Sequence, residues 1–364
     1  MSDEKPDADF VPKVVEQAVL PGVAQLRSIR HGPFGNYLAA AGLDGMIYRF
    51  EQRIRGWYQL LSIGGHDAWV TQVRWHPRKF HLYSVDSWGQ LRCTELFPED
   101  ASKCTVHWKH KQAHDGWIRD LALSPEGSYL ATCGRDRKVR VWNTDGKLIA
   151  TRESSEDVFV CSFTPCGGQI VYGDLKGHIA LWDYAKDKTV REFDGSAFHT
   201  YHRIQDIGGL RIFAWMDDGK TLVAAGTKPE SGATVQSSPL LVFYDAETGE
   251  TRQEALCGSN NQGYVDDIAI HPDGYVMAVT SGTPGNGKLF FFKPGDGDTV
   301  TDSIAKPFYE NTKVINPHSI SLHPDGRQFV VTSTNKGSNG NGRRLNKDGE
   351  YEGNTSPVHV FELG

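Results

Sequence analysis

Lys288 ends the run Gly282-Thr283-Pro284-Gly285-Asn286-Gly287-Lys288, a spacing that could cradle a phosphate on backbone amides with the lysine reaching its oxygens. That chemistry needs a helix N-terminus behind the loop. The next residues, Leu289-Phe290-Phe291-Phe292, read as a strand, and Leu289 stands where a hydroxyl would meet magnesium. A glycine-rich turn is expected instead. His107, His110 and His114 cluster, as do His199 and His202, and imidazole is a common metal ligand. No cysteine or carboxylate set at metal-site spacing accompanies them, so no metal site is expected. Asp296 and Asp298 read as a solvated hairpin rather than a calcium loop. Asn354-Thr355-Ser356 is a glycosylation sequon that matters only in a secreted protein. No cofactor is expected.

The elements that would position any such residues repeat along the chain. A turn recurs as Gly32-Pro33, His76-Pro77, Ser124-Pro125-Glu126-Gly127 and Thr164-Pro165-Cys166-Gly167. It returns as Asp217-Asp218-Gly219, His271-Pro272-Asp273-Gly274 and His323-Pro324-Asp325-Gly326. Successive marks lie 40 to 55 residues apart. Apolar residues precede them at matching offsets, as in Val70, Val73 and Trp75 or Ile118, Leu121 and Leu123. Third strands are expected at residues 47–50, 139–142, 179–182, 240–244, 289–292 and 358–361. No long stretch has helical periodicity. Short β-rich runs between Gly, Pro and Asp turns predict an all-β chain of seven repeating units.

Residues 114–143 carry His114-Asp115, Trp117-Ile118, the turn mark, Thr132, Asp136 and Val139-Arg140-Val141-Trp142-Asn143. This unit resembles the WD40 repeat, one blade of a β-propeller. The resemblance implies a seven-bladed β-propeller of four-stranded antiparallel blades. It also implies a hydrogen-bonded tetrad of His114, Thr132, Asp136 and Trp142. Other blades depart from that pattern. Blade 2 keeps His66 and Ser84, with Trp88 at the aspartate position and Thr94 at the tryptophan position. Blade 4 keeps Trp182 but has Lys176 for the aspartate, and blade 1 has Asp44 with Phe50. WD40 propellers mostly serve as interaction platforms, which implies a non-catalytic scaffold for a protein or peptide partner. An alternative comes from Pro317-His318-Ser319-Ile320-Ser321-Leu322-His323, which looks like a repeat of seven-bladed lactonase-type enzymes. Such an enzyme would hydrolyse a cyclic sugar ester, and His318, Asp266 and Asp267 would be its candidate residues.

The net charge of −6 argues against nucleic acid as the main partner. No apolar run is long enough to span a membrane, and the polar N-terminus does not look like a signal peptide. Six cysteines without CxxC spacing read as buried thiols, so a cytoplasmic location is expected. Residues 1–13 read as a flexible tail and 14–364 as one propeller. Val14, Val15, Ala18, Val19 and Leu20 are expected to supply the outer strand of blade 7 and close the ring.

Two surfaces are expected to meet the partner. Trp69 and Trp117 fall just before first strands and Trp88 in a turn, which places three large aromatics on one face. Long connections at residues 227–238, 282–288 and 335–357 should emerge on the same face and account for most of the lengthened repeats. The longest offers Arg343, Arg344 and Tyr351 as contacts.

Overall fold

The computed structural model describes residues 12–22, 24–96, 103–202, 204–230, 236–282, 286–295, 299–334, 344–345, 351–352 and 355–364. Residues 1–11 of the expected tail, and Arg343, lie outside these. Seven first strands stand around one axis: Leu26–His31, Val70–Trp75, Ile118–Leu123, Val158–Phe163, Leu210–Met216, Tyr264–His271 and Ser319–Leu322. Each neighbours the next, and the last returns to the first. Each opens an antiparallel meander running outward, as in blade 3, where Tyr129–Gly134, Lys138–Asn143 and Leu148–Glu153 follow Ile118–Leu123.

A single blade is apolar on both faces, so its strands read as near-continuous buried runs: Tyr37–Gly42 is buried at every residue but the first. The core is therefore split into slabs between blades. Val160, Ile179 and Phe193 of blade 4 pack against Leu210, Leu222 and Tyr244 of blade 5, and equivalent clusters fill the other interfaces. The ring closes as expected. Val14–Leu20 pairs antiparallel with Val358–Leu363, from Val14 opposite Leu363 to Leu20 opposite Val358.

The structure departs from the repeat in blades 4 to 6. A hairpin, His199–His202 with Gln205–Gly208, sits between blades 4 and 5 and lengthens that repeat. Residues 227–238 are not a loop throughout. Thr221–Glu230 and Gln236–Asp245 stay paired out to Glu230 opposite Gln236, because the β-permissive Thr and Ser residues continue the ladder. Thr299–Ile304 joins the outer edge of blade 5 as a fifth strand, parallel to Thr251–Leu256. The outer strand of blade 6 is only Tyr309–Asn311, so that edge is short. Such trimming limits the edge left open to pairing.

The turn marks are also the contacts between blades on the lower face. Gly127 adopts φ of 82°, and a Cβ there would lie 2.8 Å from His76 Nε2 of the preceding blade. Gly127→Ala combines left-handed strain with that clash. It should lower stability by about 1–3 kcal/mol, read as a lower urea midpoint at unchanged slope. An unchanged midpoint would mean that the turn relaxes freely.

Candidate functional site

The upper face is tied together blade by blade. In blade 3, Trp142 Nε1 donates to Thr132 Oγ1 at 2.9 Å, and Thr132 Oγ1 lies 2.8 Å from His114 Nε2. His114 Nδ1 lies 2.8 Å from Asp136. The carboxylate can only accept, so Nδ1–H goes to Asp136 and, on the neutral ring, the threonine proton goes to Nε2; Arg140 Nη1, 2.8 Å from Nδ1, donates to Asp136 at 2.7 Å. The imidazole is then neutral, in keeping with burial, which lowers its pKa. Burial alone would raise the Asp136 carboxyl, but His114 and Arg140 hold it well below the usual carboxylate range.

Blades 2 and 4 make the same link with a displaced acid. His66 bonds Ser84 at 2.7 Å and Asp86 at 2.8 Å, so the aspartate comes from the end of the second strand rather than from the position of Trp88. In blade 4, Ser154 replaces the histidine and donates to Asp174 at 3.0 Å, while Lys176 gives Asp174 its backbone N–H and reaches Glu156 with its ammonium at 2.6 Å. These links hold the loops before each first strand against the turns after each second strand.

The loops so held frame the mouth of the central channel. Six first strands carry a β-bulge directly after their first fully buried apolar residue, for instance between Leu26 and Ser28, Ile118 and Asp120, or Val265 and Asp267. The bulge frees Arg27, Thr71, Arg119, Phe159, Arg211 and Asp266 from the ladder at one level. With His318 they line a cavity of about 370 Å³ at the mouth. Arg119 lies 4.4 Å over the Trp117 ring and 4.8 Å from Phe159. Arg211 lies 5.5 Å from Phe159 and 4.3 Å over Tyr264. Trp69 meets Trp117 edge-on at 6.0 Å. Aromatic rings and guanidinium planes thus alternate from blade 3 to blade 6, with Trp69 of blade 2 extending the series.

The electrostatics favour an anion. Burial pushes the Asp266 carboxyl up, against the opposing pull of Arg27, 3.9 Å away, and of Ser281. Asp157 stands 3.7 Å from Arg119, whose Nε has no hydrogen-bond partner among the described residues. The stacked guanidiniums are therefore held flat and only partly neutralised, a geometry suited to a carboxylate or phosphate. Below them the charges are paired: Arg30 with Asp267 at 2.7 Å and Arg74 with Asp120 at 3.5 Å.

Of the residues expected to meet a partner, Trp69 is 51% exposed and Trp88 68%, with Trp117 half-buried between the groove and the channel. All three line one groove with Asp44, His66 and Asp67. In the longest connection, Arg344–Leu345 and Tyr351–Glu352 form a two-residue ladder, with Leu345 opposite Tyr351. Arg343 lies outside the described residues. Arg27, Arg119, Phe159, Arg211 and Tyr264 were not anticipated. They directly follow or precede the apolar residue that opens each first strand, and aligning that column would have revealed them.

The residues suggested for hydrolysis line the same cavity and carry internal hydrogen bonds. Asp267 accepts from Arg30, Ser319 Oγ and the backbone of Ile268 and Ile320. His318 binds the Leu26 carbonyl through Nε2, and Asp266 accepts from Ser281. No base poised against an open acceptor emerges from these three. The histidine cluster also disperses: His110 stacks on Trp142 and bonds Gly146, His114 serves its tetrad, and His107 faces Glu95. Lys288 runs directly into the strand Lys288–Phe292 and pairs with Glu310 at 2.5 Å.

Residues 103–143 match the family described as "WD domain, G-beta repeat". The chain is 30% identical over 166 residues to the small ribosomal subunit protein RACK1 of Drosophila melanogaster, covering 44% of this chain and 49% of that protein. It is 24% identical over 163 residues to the protein of that name from Caenorhabditis elegans, covering 44% of this chain and 49% of that protein. It is 26% identical over 166 residues to MST50-interacting protein 11 of Pyricularia oryzae, covering 45% of this chain and 50% of that protein. The chain thus spans about half the length of the curated relatives it matches.

Proposed function

We propose that this chain, a seven-bladed propeller of the WD40-repeat family, is a non-catalytic scaffold that captures a protein or peptide partner on its upper face. The observation that carries this reading is the alternating series of rings and guanidiniums around the channel mouth, open to solvent at Trp69 and Trp88. Rigid aromatics supply contact area at low entropic cost, and planar guanidiniums add recognition of carboxylates. The partner's binding segment is therefore acidic, with an apolar or aromatic anchor for the tryptophan groove. Arg343, Arg344 and Tyr351 extend the contact from blade 7. Two lines support the scaffold role: relatives carry the names of a ribosomal subunit protein and of an interacting protein. A cytoplasmic location belongs to the same reading and agrees with six free cysteines. Among the described residues no helix is long and apolar enough to cross a membrane.

The test begins with partners recovered from native lysate and continues with the purified pair. Trp69→Ala and Arg119→Ala should each weaken binding by about 2 kcal/mol, roughly thirtyfold, with unchanged thermal stability for Trp69→Ala. Neutralising the acidic residues of the partner segment should remove the effect of Arg119→Ala. Replacing residues 337–353 by a short Gly-Ser turn tests the blade 7 contribution separately. Full binding by the Trp69, Trp88 and Arg119 variants together would move the site off the upper face.

A further inference from the structure

On the lower face, at the outer edge of blade 2, three ligand-bearing side chains converge from three adjacent strands. His81 opens the second strand, His81–Asp86, and is paired directly with Glu95, the last residue of Leu91–Glu95. On its other side Glu95 pairs with Thr105 of Thr105–His110, and His107, the extra residue of a bulge in that strand, meets Glu95 from there. His107 Nε2 lies 3.2 Å from a Glu95 oxygen, and the His81 and His107 rings are 4.6 Å apart. One ligand atom from each residue falls within 4.8 Å of the others.

We propose that His81, Glu95 and His107 form a zinc site, with the fourth position left to water or to a donor from a partner. Two imidazoles and one carboxylate are an established zinc ligand set. Bonds of about 2.0–2.2 Å put tetrahedral ligands roughly 3.3–3.5 Å apart, so the cluster must tighten by about 1 Å. His107 is exposed and Glu95 and His81 half-buried, so rotation of their side chains supplies that movement. Zinc needs the neutral imidazole. The bound ion would clamp the outermost strand of blade 2 to the two inside it. A merely structural His–Glu pair at the surface would bind no metal.

The test uses the full chain, without a polyhistidine tag and freed of metal by chelation, titrated calorimetrically with zinc chloride near neutral pH. One zinc per chain at low-micromolar or tighter affinity is expected. Cobalt substituted for zinc should give the intense visible absorption of tetrahedral coordination. His107→Ala and Glu95→Gln should each weaken binding by about tenfold or more while circular dichroism stays unchanged. His199→Ala, at the separate hairpin, should leave binding intact. Absence of saturable binding overturns the site, as does binding that survives the His107 and Glu95 substitutions.

Discussion

A chain that starts at residue 21 is expected to lose cooperative folding, and adding a peptide of residues 12–20 should restore it. Val14–Leu20 is the outer strand of blade 7, joined to Val358–Leu363 at the opposite end of the chain. Backbone bonds between Lys13 and Gly364, at 2.9 Å in both directions, extend that ladder. Ala18 and Leu20 pack on the cluster shared by blades 7 and 1, and Val14 on the cluster of blades 6 and 7. Glu16 meets His359 at 2.6 Å, and Gln17 donates to Glu362 at 2.7 Å. Ladder bonds at about 1 kcal/mol each, with half-buried apolar side chains at about 1 kcal/mol each, give a closure strand of roughly 5 kcal/mol or more. Domains are commonly stable by about 5–15 kcal/mol, so the loss takes a large share of the whole. Truncation also uncovers the edge of Val358–Leu363, which invites association between chains. The measurement is urea unfolding of the truncated chain with and without the peptide. Equal midpoints for the full and truncated chains would show that closure contributes nothing.

That closure was legible because an apolar run at residues 14–20 precedes the first strand of blade 1 and had no blade of its own. The blade count was legible for a similar reason. A turn such as Ser124-Pro125-Glu126-Gly127 needs glycine for its positive φ, and such a glycine recurs in six of the seven marks, at Gly35, Gly127, Gly167, Gly219, Gly274 and Gly326. What escaped depends on contacts between distant segments. Nothing local in Thr299–Ile304 tells it to leave blade 6 for a parallel place on blade 5, since a parallel pair has no turn of its own. The acids Asp86 and Asp174 stand outside the repeat pattern, which has its aspartate at the position of Asp136 in blade 3. A carboxylate two residues earlier reaches the same loop from the strand end. The ring of Arg27, Arg119 and Arg211 was hidden by the bulges. Each bulge interrupts the alternation of inward and outward residues, so a charged residue there reads as a break in the strand rather than as a channel lining. The three tryptophans were visible because their positions relative to the first strand and the turn need no tertiary information.

Thr132→Val should lower stability by about 2–4 kcal/mol, although the side chain barely changes shape. Thr132 is fully buried and its hydroxyl is the middle of the chain Trp142–Thr132–His114–Asp136. The valine leaves the Trp142 N–H without an acceptor and His114 Nε2 without a donor, both in a place water does not reach. A double-mutant cycle with His114→Ala should show coupling of about 1 kcal/mol or more, because either change breaks the same network. The network also sets an acid limit. His114 has a folded pKa lowered by burial, so its contribution is complete above the unfolded value near 6.5 and falls as the pH drops below it. His66 behaves alike, and His31 is taken down to about 3, chiefly by burial and by the neighbouring His323. Each histidine kept neutral removes up to about 1.4 kcal/mol per pH unit until its folded pKa is reached. Asp136 has the same sign further down: its lowered folded pKa gives stability above about 3.9 that is lost as the pH falls through the folded value. The full-length chain should therefore lose stability steadily from pH 6.5 to 5, measured by urea unfolding at each pH. The His114→Ala variant, starting lower, should lose less over that interval. Equal slopes for the two chains would show that His114 is not held neutral, and the directions assigned to the tetrad would have to be reversed.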